Sequence, residues 1–268
     1  YMSCIFTNDN DVEVKLIKHR ISRIFATRDK HEIMFRRINT FLINEKIIQK
    51  NIIDLGGWIG DNSIPWAINL PESTIYCIDP SGNNIRFIKD MCALNYIKNL
   101  KTIQVAVSDK IETLTTNGNI DHCSFVYNNP NNDGKKKEYA VSLDSLHDDG
   151  DIKDIGMIHL DVEGMEYRVM KGGELLIDKY LPIITYEQHI ELDDTEIIKK
   201  FLKSKKYIIY MIDEILPGCR LDCRNFIAFP EHIHTNELIK KLHTYIGYLF
   251  NKLIDYQSLL VSMVHHLH

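Results

Sequence analysis

Apolar residues along this chain fall into two rhythms. Short continuous runs that end at a polar residue, over 52–54, 73–79, 100–108, 155–161 and 182–187, read as buried strands. Between them the apolar spacing lengthens to three and four. Residues 63–69, 83–95, 165–180 and 193–204 therefore read as helices, and 207–212 and 225–229 as two last strands. Such alternation predicts an α/β fold: a doubly wound, mainly parallel sheet of seven strands with right-handed crossovers, closed by a terminal antiparallel hairpin. Residues 12–48 read as an N-terminal helical cover, with Ile33, Phe35, Ile38, Phe41 and Leu42 as its apolar stripe. Residues 111–143 read as a strand–turn–strand insertion, with its turn at Asn128 to Gly134 and solvated lysines 135–137 beside the tip. The expected domains are 1–48 (cover), 49–230 (Rossmann-like domain carrying the 111–143 hairpin) and 231–268 (C-terminal helical extension).

The first strand ends in a glycine-rich turn, Asp54-Leu55-Gly56-Gly57-Trp58-Ile59-Gly60-Asp61-Asn62, that opens a helix near Ser63, with Pro65 tolerated in its first turn. Glycine at 56 and 60 leaves room for a ligand, and the helix N-terminus offers unpaired N–H groups and partial positive charge. A dinucleotide fingerprint ending at Gly60 needs glycine where Asp54 stands. An acid there suits S-adenosylmethionine, whose charged amino group it attracts. A plain strand-to-helix turn would also place Gly at the tight corner. What tips the balance is Asp79, which ends the next strand just before Pro80-Ser81-Gly82, where a carboxylate accepts hydrogen bonds from the hydroxyls of an adenosine ribose.

These residues, together with Asp79-Pro80 and Asn84, Val105-Ala106-Val107-Ser108, Val141-Ser142-Leu143-Asp144-Ser145-Leu146 and His159-Leu160-Asp161-Val162-Glu163-Gly164-Met165-Glu166-Tyr167, resemble the FkbM-type S-adenosylmethionine-dependent methyltransferases. The likeness runs in unbroken order over about residues 32–230. It departs at Gly57 and Trp58, where the family has a small residue and Asn, and at Asp79, where it has Glu. The resemblance implies a Rossmann-like class I methyltransferase whose cofactor set is Asp54, Gly56, Gly60, Asn62, Asp79, Asn84, Ser108 and Asp161. It further implies O-methyl transfer to the hydroxyl of a sugar or glycan. The alternatives are methylation of nucleic acid or protein, or a non-catalytic cofactor-binding module held in a complex by its C-terminal helix.

Methyl transfer to oxygen needs an acceptor held in line and a group to take its proton. Asp161 and Glu163, at the end of the fourth strand and in the turn that Gly164 allows, are the candidates, with Glu163 as general base. A carboxylate at 163 is equally suited to capping the following helix. His189 is the competing base. Period two puts Glu187 and His189 on one face of the fifth strand, and with Asp161 they make an oxygen-and-nitrogen set for Mg²⁺ or Mn²⁺. Trp58, Tyr127, Tyr139 and Tyr167 are candidates to stack on a sugar ring, though each equally suits packing.

At 268 residues and 44% hydrophobic, the chain can bury a full core. Its net charge of -5 makes nucleic acid an unlikely partner. No uncharged apolar run is long enough for a membrane span, and no basic-then-apolar leader opens the chain, so no membrane partner and a cytoplasmic setting are expected. Abundant Ile, Asn and Lys resemble AT-rich coding, as in some giant viruses, for which that setting is the host's cytoplasm. Tyr1 ahead of Met2 is consistent with a fragment of something longer. The six cysteines are too scattered for a disulfide framework, and Cys219 and Cys223 lack a second ligand pair at finger spacing. Residues 236–264 carry a helical stripe of Ile246, Leu249, Phe250, Leu253, Ile254, Leu260, Val261 and Val264, which either folds back or pairs with a second copy as a homodimer.

Overall fold

The chain opens with a hairpin, β1 (Met2–Phe6) paired antiparallel with β2 (Val12–Leu16), where a helical pattern was expected to begin. The reason is legible in β2 itself: Val12, Val14 and Leu16 are buried while Glu13 and Lys15 are exposed, the period-two pattern of a strand with one face on a core. Two helices complete the cover, α1 (Ile21–Phe25) and α2 (Ile33–Asn44). The computed structural model describes residues 2–116, 125–126, 137–189, 195–214 and 223–249. The Asn128 to Gly134 turn, Tyr127, Cys219 and the apolar stripe from Phe250 onward lie outside these described residues.

The Rossmann-like part follows as β3 (Asn51–Leu55), α3 (Ser63–Asn69), β4 (Ile75–Ile78), α4 (Gly82–Leu94) and β5 (Leu100–Ile103). The expected third strand divides at this point. Its first half stays in the main sheet, while Ala106–Val107 turns away as β6 to join a second sheet with β7 (Glu112–Thr116), β8 (Phe125–Val126) and β9 (Lys137–Val141), in the order β6-β9-β7-β8. Next come α5 (Leu143–Asp148), β10 (Ile155–Leu160), α6 (Glu166–Gly172) and α7 (Glu174–Tyr180), so the helix expected over 165–180 is broken at Gly173. β11 (Ile183–His189), α8 (Thr195–Ser204), β12 (Tyr207–Ile212) and β13 (Cys223–Pro230) complete this unit, which spans Tyr1–Pro230. The second compact unit, Glu231–His268, contributes a helix over 236–249. Among the described residues no helix is long and apolar enough to cross a membrane.

The main sheet has seven strands in the order β12-β13-β11-β10-β3-β4-β5, all parallel except β13. Every residue of β4 and β11 is buried, as required of strands covered on both faces. One core cluster joins Ile53, Leu55, Ile158 and Leu160 to Val169, Ile177 and Leu202. A second joins Ile59, Ile64, Phe87 and Ile88 to Phe6, Val14 and Phe25 of the cover. Each fully buried side chain of this size contributes about 1.5–3 kcal/mol, so the cover is bound to the sheet by packing. The chain runs from β3 outward to β5, then returns to lay β10 on the other side of β3. That reversal is the topological switch point of an open α/β sheet, and its crevice opens at the carboxyl ends of β3 and β10.

Candidate functional site

Leu55 and Asp161 flank that crevice, and the Asp161 N–H donates to the Leu55 carbonyl at 3.0 Å. Gly56 follows at φ +75°, and a Cβ on it would fall 1.8 Å from the Asp161 carbonyl oxygen. Gly60 has the same φ, and its Cβ would press on Ile64 and Ile88 at 3.1 Å. The expectation was that these glycines clear space for a ligand. What they clear first is space for the protein's own backbone and core, which sets the loop tight against β10.

Asp79, at the end of β4, ties this loop down. Its carboxylate accepts from Trp58 N–H at 2.9 Å, Ser81 N–H at 2.8 Å and Asn84 Nδ2 at 3.2 Å. Trp58 is held at φ 43°, a left-handed conformation that costs a non-glycine residue about 1–3 kcal/mol and needs such anchoring. Asn84 reaches the same oxygen, Oδ1, as the Ser81 N–H and serves as support for the carboxylate. Asp54 is buried and accepts a hydrogen bond from Ser63 Oγ; burial pushes its carboxyl up to about 7, against the pull of that bond. Asn62 approaches His159, with Nδ2 3.5 Å from Nε2, and its buried Oδ1 has no hydrogen-bond partner. Burial lowers His159 to about 4, in spite of Glu32 and Asp61 nearby, so the ring is neutral between Phe35 and Trp66.

Sequence reasoning missed what grips the far end of the loop. Asp61 receives Arg28 Nε at 2.6 Å and Arg36 Nη2 at 2.7 Å, and Arg36 also donates to the Asp61 carbonyl. Burial opposes a charge on Asp61, but the two guanidinium groups outweigh it and hold its carboxyl at about 2. Glu32 joins this cluster through Arg28 at 2.7 Å and Asn225 at 3.1 Å, from a left-handed backbone at φ 51°. All of these cover residues lie 25 or more positions from Asp61, with no local pattern linking them.

On the other side of the crevice the polar groups are acids. Asp161 is held well above the usual carboxylate range, first by burial and then by Glu187, Glu32 and Glu163 around it. Glu163 occupies the turn after β10 at φ 53°, with Gly164 at φ 92°. Glu166 ties the turn itself, its Oε1 accepting from the N–H groups of Val162 at 3.0 Å and Gly164 at 3.3 Å, and the helix that follows has no side-chain hydrogen bond at its N-cap, Met165. Glu163 instead reaches His189, with Oε2 3.5 Å from Nε2, and its side chain keeps 42% of its surface open. Of the expected Asp161, Glu187 and His189 set, the ligand atoms of Glu187 and His189 come together with Cys223, all within 4.8 Å of one another, while Asp161 stands outside that group but hydrogen-bonds Glu187. Ser108 is bound up elsewhere. Its hydroxyl donates to Asp109 at 3.1 Å and Glu112 at 2.6 Å, both of which pair with Arg168.

The methyltransferase FkbM domain matches residues 59–209, more than half of the 268-residue chain. The chain belongs to this family. Among curated proteins it is similar to the ribosomal RNA small subunit methyltransferase G of Vibrio campbellii, 32% identical over 85 residues, and to that of Colwellia psychrerythraea, 28% identical over 85 residues. These stretches cover 31% of the chain and about two fifths of each relative, 40% and 41%. Among solved structures it resembles methyltransferase FkbM from Methylobacillus flagellatus, with a TM-score of 0.48 and 14% identity over 67% of this chain and 43% of that one. It also resembles the S-adenosylhomocysteine-bound methyltransferase PaMTH1 of Podospora anserina, with a TM-score of 0.45 and 9% identity over 80% and 83% of the two chains.

Proposed function

We propose that this FkbM-family chain is an S-adenosylmethionine-dependent methyltransferase that methylates a hydroxyl of a sugar or glycan. The observation that carries the reading is the meeting of two unlike halves at one switch point: a rigid glycine turn with a strand-end carboxylate on one side and Glu163 beside His189 on the other. The cofactor side fits the group. Asn62 keeps an unsatisfied buried oxygen, Asp54 offers a carboxyl to an amino group, and Asp79 stands where a ribose is recognised. When bound there, the cofactor supplies an activated methyl group on a sulfonium.

The chain's own part is to hold the acceptor and receive its proton. Glu163 is the open carboxylate in the turn, Gly164 lets the turn form, and Glu166 fixes it by accepting from two backbone N–H groups. His189, 3.5 Å away, passes on the proton that Glu163 receives, while burial and the neighbouring acids favour the neutral form of Asp161. Glu163 and Glu187 on the acceptor side disfavour the polyanionic backbone of a nucleic acid and suit a hydroxyl-bearing acceptor that is not a polyanion.

The test is transfer of a labelled methyl group from S-adenosylmethionine across sugar nucleotides, free glycans, RNA and protein. Label on glycans or sugar nucleotides is expected. Label confined to RNA or protein overturns the acceptor class, and cofactor binding with no transfer to any arm points to a binding module. Glu163→Gln is expected to keep cofactor affinity and lower turnover by about 10²–10⁴. Full activity in that variant would move the role of base to His189.

A further inference from the structure

The edge beside the acceptor side holds three different metal-ligating atom types at one point. Period two sets Glu187 and His189 on the same face of β11, and the antiparallel register opposes His189 to Cys223 and Glu187 to Asn225. The thiol, an imidazole nitrogen and a carboxylate oxygen all lie within 4.8 Å of one another, and all three residues are buried. Asn225, 3% exposed and opposite Glu187 in the ladder, donates through Nδ2 to Glu32 but keeps a buried Oδ1 with no hydrogen-bond partner. The three candidate ligands have protein partners of their own, among them the hydrogen bond from Cys223 Sγ to Glu187 Oε1 at 2.5 Å, whose proton a cation would replace.

We propose that Glu187, His189 and Cys223 form a site for a thiophilic divalent cation of the Zn²⁺ class. A thiolate in the set selects against Mg²⁺ and Mn²⁺, which prefer oxygen, and for Zn²⁺ or Co²⁺. Three protein ligands leave one tetrahedral position, the arrangement of a catalytic rather than a purely structural centre. Glu163 is partly open to solvent, with Oε2 3.5 Å from Nε2 of His189, one of the three ligands. The inference rests on the methyl-transfer reading for its use: an acceptor hydroxyl on the cation loses its proton to Glu163, its oxygen forms the bond to the methyl carbon, and the carbon–sulfur bond breaks with the electron pair going to sulfur. Binding of the cation itself does not depend on that reading.

Co²⁺ added to the purified, chelator-stripped full chain is the probe. One equivalent is expected to give a thiolate charge-transfer band in the near ultraviolet and tetrahedral visible absorption. Cys223→Ser is expected to abolish the charge-transfer band and weaken Co²⁺ by more than about 100-fold, since even outer-shell changes cost 10- to 100-fold. Cys92→Ser, in a buried thiol of α4, should leave both unchanged. No band at stoichiometric Co²⁺, or a band that survives Cys223→Ser, overturns the site. Should that variant fail to fold, Glu187→Gln decides: an unchanged Co²⁺ affinity overturns the proposal, and a loss of 10-fold or more supports it. S-adenosylhomocysteine titrated calorimetrically into the same samples separates the two readings. A failed cation site leaves cofactor affinity intact, and a failed methyl-transfer reading leaves the Co²⁺ spectrum intact.

Discussion

The two sides of the switch point differ in how their charges are met. On the β3–β4 side each carboxylate has a dedicated partner: Asp79 takes three hydrogen bonds, Asp61 takes two guanidinium groups and Asp54 takes Ser63. On the β10–β11 side Asp161 lies beside Glu187 and Glu163, with Glu32 of the clamp adding to their field. The first arrangement has its partners in place before anything binds, whereas in the second burial and neighbouring acids favour the neutral form of Asp161. A preformed half suits a cofactor of constant shape, and a charge-loaded half suits the step in which a proton must leave.

The sharpest way to break the satisfied side is to remove one partner. Arg36→Leu leaves the buried Asp61 carboxylate with Arg28 alone, and a loss of about 3–5 kcal/mol in unfolding free energy is expected from urea titration. A loss below about 1 kcal/mol would mean that the cover does not hold the loop. Next in size, Asp79→Ala should weaken S-adenosylhomocysteine by about 2–3 kcal/mol in calorimetry, through lost charge-assisted hydrogen bonds, with turnover at saturating cofactor little changed. That pattern is the reverse of the one expected for Glu163→Gln. If both variants changed the same parameter, the division of labour between the two sides would be wrong.

The smallest effect concerns Asp54. Its carboxyl is raised to about 7 when folded, so between pH 7 and pH 6 the folded chain takes up a proton that the unfolded chain does not. Acidification therefore favours the folded state through this group, and the advantage is lost as pH rises through 7. Measured against Asp54→Asn, in which the opposing contribution of His159 cancels, the natural chain should gain about 1 kcal/mol over that unit of pH. A flat difference would mean that Asp54 ionises normally.

What the sequence made legible was local. The glycine turn, Asp79 and the 159–167 block are contiguous, and their chemistry follows from strand ends and tight turns, so the fold, the family and the position of the crevice follow from them. The strand at Val12–Leu16 was also readable, since its alternation is clean, but the longer helical stripe after it masked the change of period. The clamp of Arg28 and Arg36 on Asp61 and the approach of Cys223 to His189 depend on contacts between distant segments. Cys223 was set aside because finger spacing was sought along the chain, whereas its partners are brought to it across a ladder.

The reversed direction of β13 has one more consequence. Parallel strands bring only their last residues to the ligand edge, but an antiparallel one brings its first, so Cys223 and Asn225 arrive there by entering the sheet. A ladder alternates faces at every residue. Deleting a single residue early in this strand would therefore exchange the pair facing Glu187 and His189 for its neighbours Arg224 and Phe226, turning a thiol and an amide into a guanidinium and a ring without any point substitution. Among natural variants of this chain, a change in length near residue 223 would respecify the edge more thoroughly than most changes of residue type.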